Sequence, residues 1–218
     1  YGTDFYAAVT FSNMPNNRHV LLGWMSNWQY AIKVPTEIWR SSMTLPRELT
    51  LTSSNGDYYI KQSIVSEFKD ISKPFFQFSK INNEFVKEYN LQSSKIYFDV
   101  KSTKNQKFDI SFSNKLDEEF IISFDNGMLK SNRINSGKVD FSESFANKVQ
   151  QLLITDKIYN FSLIIDKSSV EILINDGTYS MTNLFFPSEE YKILKISNLA
   201  KTKINNLKID TIEGVWNN

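Results

Sequence analysis

The chain has 218 residues and almost balanced charge, Lys+Arg 25 against Asp+Glu 24, for a formal net charge of +1 at pH 7. That balance leaves no long-range field to draw it onto nucleic acid or an anionic membrane, and 41% hydrophobic with 22% charged residues supplies a packed core and excludes an intrinsically disordered chain. The absence of cysteine excludes disulfides, thiolate metal sites and cysteine nucleophiles, and the single histidine, His19, read as a surface or strand residue, excludes a multi-histidine metal site.

The first elements are dense in large rings: Tyr6, Trp24, Trp28, Tyr30 and Trp39. Asp4-Phe5-Tyr6-Ala7-Ala8 opens a strand, the chain turns around Pro15-Asn16-Asn17, and Leu22-Gly23-Trp24-Met25-Ser26-Asn27-Trp28 returns antiparallel to it. Such a hairpin brings Tyr6 and Trp24 to the same end of a sheet. Rings that stack on the C–H faces of a sugar, beside Asp, Asn, Arg and Tyr groups for its hydroxyls, suit a carbohydrate pocket. An aromatic core between sheets accounts for the same rings, and composition alone favours that core.

Composition changes near residue 54. Residues 1–53 hold three of the four Trp, three of the five Pro and three of the four Arg, after which Lys, Asn, Ile and Phe dominate. Ser53-Ser54-Asn55-Gly56-Asp57 reads as a turn at a boundary, with a β unit at 1–53 and a β-sandwich at 57–218. Fifty residues of strand cannot easily bury their own faces, so the first unit is expected to pack against further sheets.

Beyond the boundary the period is two. Ile96, Phe98 and Val100 alternate with polar residues, as do Phe108, Ile110 and Phe112, then Phe161, Leu163 and Ile165, then Val170, Ile172 and Ile174. Turn signals separate them at Ser113-Asn114, Asp125-Asn126-Gly127, Asn135-Ser136-Gly137 and Asn175-Asp176-Gly177. The class is therefore all-β, an antiparallel sandwich with Phe98, Val100, Phe108, Ile110, Leu163, Ile165, Ile172 and Ile174 on its facing sides. Acidic residues that alternate with these apolar ones are read as a solvated face. No amphipathic helix is evident, and no apolar run approaches the ~20 residues of a membrane span.

The order DFYAA, GWMSNW, Pro35-Thr36, Trp39-Arg40 and MTLPREL (Met43 to Leu49) resembles the final blade of the catalytic propeller in glycoside hydrolase family 32, the β-fructosidases, which include invertases, levanases and inulinases. Ile165-Asp166-Lys167-Ser168-Ser169-Val170-Glu171-Ile172, with Asn175-Asp176-Gly177 and Leu184-Phe185-Phe186-Pro187, is similar to the end of that family's C-terminal β-sandwich. The resemblance implies a five-bladed β-propeller whose last blade leads into this sandwich, and retaining hydrolysis of β-fructosidic bonds in fructans or sucrose. The family's nucleophile lies in a WMNDPNG-type motif, a second aspartate in RDP and the acid/base glutamate in an EC motif. None of the three occurs in this sequence. No catalytic residue is therefore assigned, and the chain alone is expected to be inactive.

By the same resemblance, Tyr6 of DFYA borders the fructose subsite, Trp24 of GWM forms its wall, and Asp4 is a further candidate for hydroxyl contact. Trp28, Trp39 and Arg40 are expected to lock the blade and its junction with the sandwich, and Glu48 to make structural contacts. The substrate partner is a fructan or sucrose, reached through the complete parent protein, with the remaining propeller blades as packing partner. No cofactor, metal, nucleic acid or membrane partner is expected. Because the chain opens Tyr-Gly-Thr-Asp, without Met or a basic and apolar leader, it is expected to start inside a longer protein. A secreted or periplasmic bacterial location is the expectation, with the cytoplasm left open. The Asn160-Phe161-Ser162 sequon matters only in a eukaryotic secretory pathway. A stand-alone carbohydrate-binding or interaction sandwich is the alternative from a different class.

Overall fold

A computed structural model describes residues 1–54, 56–100, 106–146, 149–155, 159–199 and 202–214, and their regular structure is almost all antiparallel strand. The first sheet has four strands in chain order: β1 (Tyr6–Thr10), β2 (Val20–Trp24), β3 (Arg47–Ser54) and β4 (Asp57–Ile64). The β1–β2 hairpin turns through a 3-10 turn at Pro15–Asn17, where Asn16 and Asn17 take the left-handed conformation that asparagine tolerates.

The turn expected to mark a boundary, 53–57, instead joins β3 to β4 within this sheet, with Ser53 opposite Tyr58 and Ser54 opposite Asp57. Asn55 itself lies outside the described residues. Turn chemistry marks a change of direction, and here the chain reverses into a partner strand of the same sheet. The sheet ends at Ile64, and a 3-10 segment, Ser66–Ile71, leads onward.

The remaining strands are β5 (Ser72–Ile81), β6 (Phe85–Glu88), β7 (Ser94–Val100), β8 (Lys107–Ser113), β9 (Glu119–Asp125) and β10 (Met128–Asn132). They continue with β11 (Gln150–Leu153), β12 (Tyr159–Asp166), β13 (Ser169–Ile174), β14 (Tyr179–Leu184), β15 (Ile193–Ser197) and β16 (Ile204–Ile212). They form two six-stranded sheets, ordered β14-β13-β12-β7-β16-β5 and β11-β10-β9-β8-β15-β6. Alternate residues of β7 and β8 are buried, as the period of two demands, and the eight facing residues expected from the sequence are all buried in one cluster that spans both sheets.

At the centre of that cluster four phenylalanines meet. Phe98 lies opposite Phe161 on one sheet and Phe108 opposite Phe124 on the other, each pair stacked, at 4.9 Å and 5.3 Å. Across the gap the rings stand edge to face, with Phe161 5.4 Å from Phe108 and 5.7 Å from Phe124. Parallel contacts within each sheet and perpendicular ones between them satisfy the ring quadrupoles at every contact.

One sandwich sheet is buried on both faces where β13 runs. Every residue of β13 is buried, because Val170, Ile172 and Ile174 point into the core while Leu173 packs outward with Ile164 and Phe68, against Leu45 and Ile64 of the N-terminal part. Glu171 shares that outward face and is itself buried, so it does not sit on the solvated face that alternation alone implies. A second outward cluster, of Met25, Tyr30, Val34, Phe145, Leu184 and Phe186, joins the loop after β2 to the sandwich.

Candidate functional site

Tyr6 pairs directly opposite Trp24 across β1 and β2. Their rings meet edge to face at 6.2 Å, and Trp24 meets Trp28 in the same manner at 5.2 Å. Tyr6 is 49% exposed, Trp28 75%, and Trp24 is half-buried. The two rings expected to share one end of the sheet do so, and they form an open wall rather than an enclosed core. β1 is exposed along its whole length, and Ile32, Ile38, Trp39 and Met43 nearby are also exposed.

Two contacts behind the wall explain why the motif needs its small residue. A Cβ on Gly23 would lie 2.5 Å from the Phe5 ring, so Phe5 can lie flat across β2 only because position 23 is glycine. The Arg47 guanidinium lies over the Phe5 ring, 4.8 Å from its centroid.

Asp4 is not in the wall. Its side chain is fully buried, and its carboxylate accepts hydrogen bonds from Arg133 Nη1 (2.6 Å), the Leu184 N–H (2.9 Å), the Tyr30 hydroxyl and Thr3 Oγ1 (3.2 Å). A carboxylate with its lone pairs taken and no exposed surface has nothing left for a sugar hydroxyl, and packing against further sheets can only deepen that burial. Burial, with the neighbouring Asp4 charge, pushes the Tyr30 phenol up to about 12, so at neutral pH it keeps the proton that it donates to Asp4. Arg133 also donates to Thr3 Oγ1, the Tyr30 oxygen and the carbonyls of Phe145 and Leu184, and its guanidinium lies 3.9 Å from the Phe145 ring centroid.

A second buried ion pair crosses to the sandwich. Arg47 on β3 donates through Nε (3.1 Å) and Nη2 to Glu171 on β13, and to Gln62 Oε1 (3.1 Å) and Thr182 Oγ1 (2.9 Å). The other Glu171 oxygen accepts the Leu45 N–H at 2.7 Å. Around these pairs the backbones touch: the Thr182 N–H donates to the Tyr1 carbonyl, and the Gln62 N–H to that of Gly177. A Cβ on Gly177 would lie 2.1 Å from the Gln62 oxygen, and its φ of +90° is one that glycine adopts freely.

The other residues singled out in the sequence have simpler places. Arg40 donates to the carbonyls of Ile32, Val34 and Thr36 and braces that loop, whereas Trp28 projects into solvent beside Trp24. Glu48 pairs with Arg18, which also holds Glu67. His19 is exposed. The Asn160 side chain accepts the Asp176 N–H, closing the turn after β13. Sequence reasoning passed over Arg133 and saw Glu171 only as part of a motif. Two signals marked them: a lone arginine in the Lys-rich part of the chain, and a glutamate inside the otherwise apolar run Val-Glu-Ile-Leu-Ile.

Among the described residues, no group of three or more His, Asp or Glu is placed to hold a metal ion, and no helix is long and apolar enough to cross a membrane. A hollow of about 600 Å³ lined by Glu88, Lys115, Glu189 and Glu190 includes none of the ring-wall residues.

Comparison with known proteins gives matches along nearly the whole chain. Residues 60–211 match the model for "Glycosyl hydrolases family 32 C terminal" and residues 1–63 that for the N-terminal domain of the same family. The levanase of Bacillus subtilis is 30% identical over 241 residues, covering 99% of this chain and 34% of that protein. The extracellular exo-inulinase of Aspergillus niger is 29% identical over 230 residues, covering 100% of this chain and 43% of that protein. The crystal structure of exo-inulinase from Aspergillus awamori superimposes with a TM-score of 0.87 at 28% identity, over 99% of this chain and 44% of that one. The chain thus spans between a third and a half of the length of these relatives.

Proposed function

The chain belongs to glycosyl hydrolases family 32, and from that premise we propose that it is the C-terminal part of an enzyme that cleaves β-fructosidic bonds in fructans or sucrose. Its share of the work is a pocket wall and the sandwich behind it. The observation that carries the reading is the half-exposed ring pair of Tyr6 and Trp24, set opposite each other on β1 and β2. One apolar face of a fructosyl ring can rest on them, and their bulk keeps water from that side of the sugar.

Cleavage with retention needs two carboxyl groups about 5–5.5 Å apart, one a nucleophile and one a proton donor. Asp4, the carboxylate nearest the rings in sequence, is sealed behind them by Arg133 and Tyr30. Since the family's three carboxylate motifs are also absent from this sequence, the resemblance puts both carboxyls in other parts of the whole protein, and the exposed faces of β1 and of the Ile32, Ile38, Trp39 and Met43 surface pack against the remaining propeller sheets. In this reading the last blade runs to Ile64 and the sandwich begins at Ser72.

Two measurements test the proposal. The pure chain should release no fructose from sucrose, levan or inulin. In the whole protein, Trp24→Ala should remove about 1–3 kcal/mol of apolar contact and lower kcat/KM by roughly one to two decades. Fructose release by the chain alone, or unchanged kinetics in the Trp24 variant, would overturn it.

A further inference from the structure

We propose that the sandwich is a positioning element for the ring wall: its Arg133 and Glu171 hold the segment Asp4–Tyr6 from two sides and so fix Tyr6 opposite Trp24. The inference deepens the reading of that wall as a sugar contact and rests on it for its meaning, though not for its geometry.

The argument begins with a break in the hairpin. Val9 and Thr10 pair with Leu22 and Leu21, but the register is irregular between Tyr6 and Val9, and Ala7 has a φ of +46°. A non-glycine residue in that region bends the strand and interrupts the ladder, which resumes only at the single pair Tyr6–Trp24. Tyr6 lies beyond the break, so the hairpin alone does not set its position.

What sets it comes from the other direction. Asp4, two residues earlier, is locked by Arg133 and by the Leu184 N–H, both from the sandwich. Phe5 is wedged between Gly23 and Arg47, and Arg47 is in turn held by Glu171 of β13. The Asn27 amide ties the Thr3 carbonyl to the loop after Trp24, at 3.0 Å. The side chains of Asp4 and Phe5, the two residues before Tyr6, are thus each met by a charged group on, or backed by, the sandwich. Arg133 and Glu171 touch neither ring, so they are positioning residues.

The test measures the ring pair directly. In isotope-labelled chain, the Tyr6–Trp24 ring NOE reports the wall, the Ile172 and Ile174 methyl signals report the sandwich core, and thermal melting reports stability. Arg133→Met strands the Asp4 carboxylate, so it should lower the melting temperature and abolish the ring NOE while the two isoleucine signals stay in place. The double variant Asp4→Asn with Arg133→Met removes the stranded charge. It should regain most of the melting temperature and still lack the NOE, because the clamp is gone. It also carries the test if the single variant does not fold. An NOE that survives in either folded variant, or that returns together with the melting temperature in the double variant, overturns the proposal. Trp24→Ala in the whole protein separates the two claims. Unchanged kcat/KM there would sink the sugar-contact reading while the loss of the NOE in the variants would still establish the clamp.

Discussion

Replacing Phe161 by alanine should be among the most damaging single changes in the chain. The ring is fully buried and touches Phe98, Phe108 and Phe124 at 4.9, 5.4 and 5.7 Å. Phe→Ala in a core costs about 3–5 kcal/mol, the spread reflecting how far the site can collapse. Here collapse is poor, because all three neighbours are rings fixed on strands of two sheets, so the loss should fall at about 4–5 kcal/mol against a total of about 5–15 kcal/mol. At about 2–4 °C per kcal/mol for a chain of this size, the melting temperature should drop by roughly 8–20 °C. Urea unfolding followed by far-ultraviolet circular dichroism would measure the loss, with tryptophan fluorescence as a second probe weighted to the N-terminal sheet. Phe75→Ala, at a half-exposed ring, is the control and should cost less than ~1 kcal/mol. A loss for Phe161→Ala below about 1.5 kcal/mol would mean that the three remaining rings relax into the space, and the argument from rigid edge-to-face packing would fail.

Gly23→Ala should force the Phe5 ring aside, costing about 1–3 kcal/mol and dispersing the near-ultraviolet dichroism of the ring wall; an unchanged spectrum would contradict the contact. Breaking the buried Arg47–Glu171 pair by Glu171→Leu alone should cost about 3–5 kcal/mol, whereas Glu171→Leu with Arg47→Met should recover most of it, and a double variant no better than the single would show that charge burial is not the cause. Glu67, held by the Arg18 guanidinium, has its carboxyl lowered to about 2 from an ordinary 4.5. Because the folded value is the lower one, the contact stabilises fully above pH 4.5 and is lost as pH falls through about 2. A carboxyl carbon titration with its midpoint at the ordinary value would refute the pairing.

How much of this was legible in the sequence depends on what each residue's neighbours are. The strands around Phe98, Phe108, Leu163 and Ile172 were readable because a sheet with one buried face writes its period directly into the chain. β13 was readable as a strand but not as one buried on both sides, since a single Glu171 looks the same whether it faces water or an arginine brought from 124 positions away. The 53–57 turn was visible, yet a turn does not say whether the strand after it belongs to the same sheet. The family resemblance made Asp4 a candidate for sugar contact. What placed it elsewhere was Arg133, 129 residues distant, and no local pattern carries that information.

The junction also dictates an order of events during synthesis. The β1–β2 hairpin closes over a short loop and can form early, but Asp4 accepts the N–H of Leu184, 180 residues later in the chain. At a translation rate of about 5–20 residues per second, Leu184 emerges roughly 9–36 seconds after Asp4 does. Until then the acidic side chain and the exposed β1 strand wait without their final contacts, and such pairing across long sequence separation is slow to form. Closure of the wall is therefore among the last steps of folding. Destabilising the far end of the chain would delay it even though, among the described residues, no ring there meets Tyr6 or Trp24.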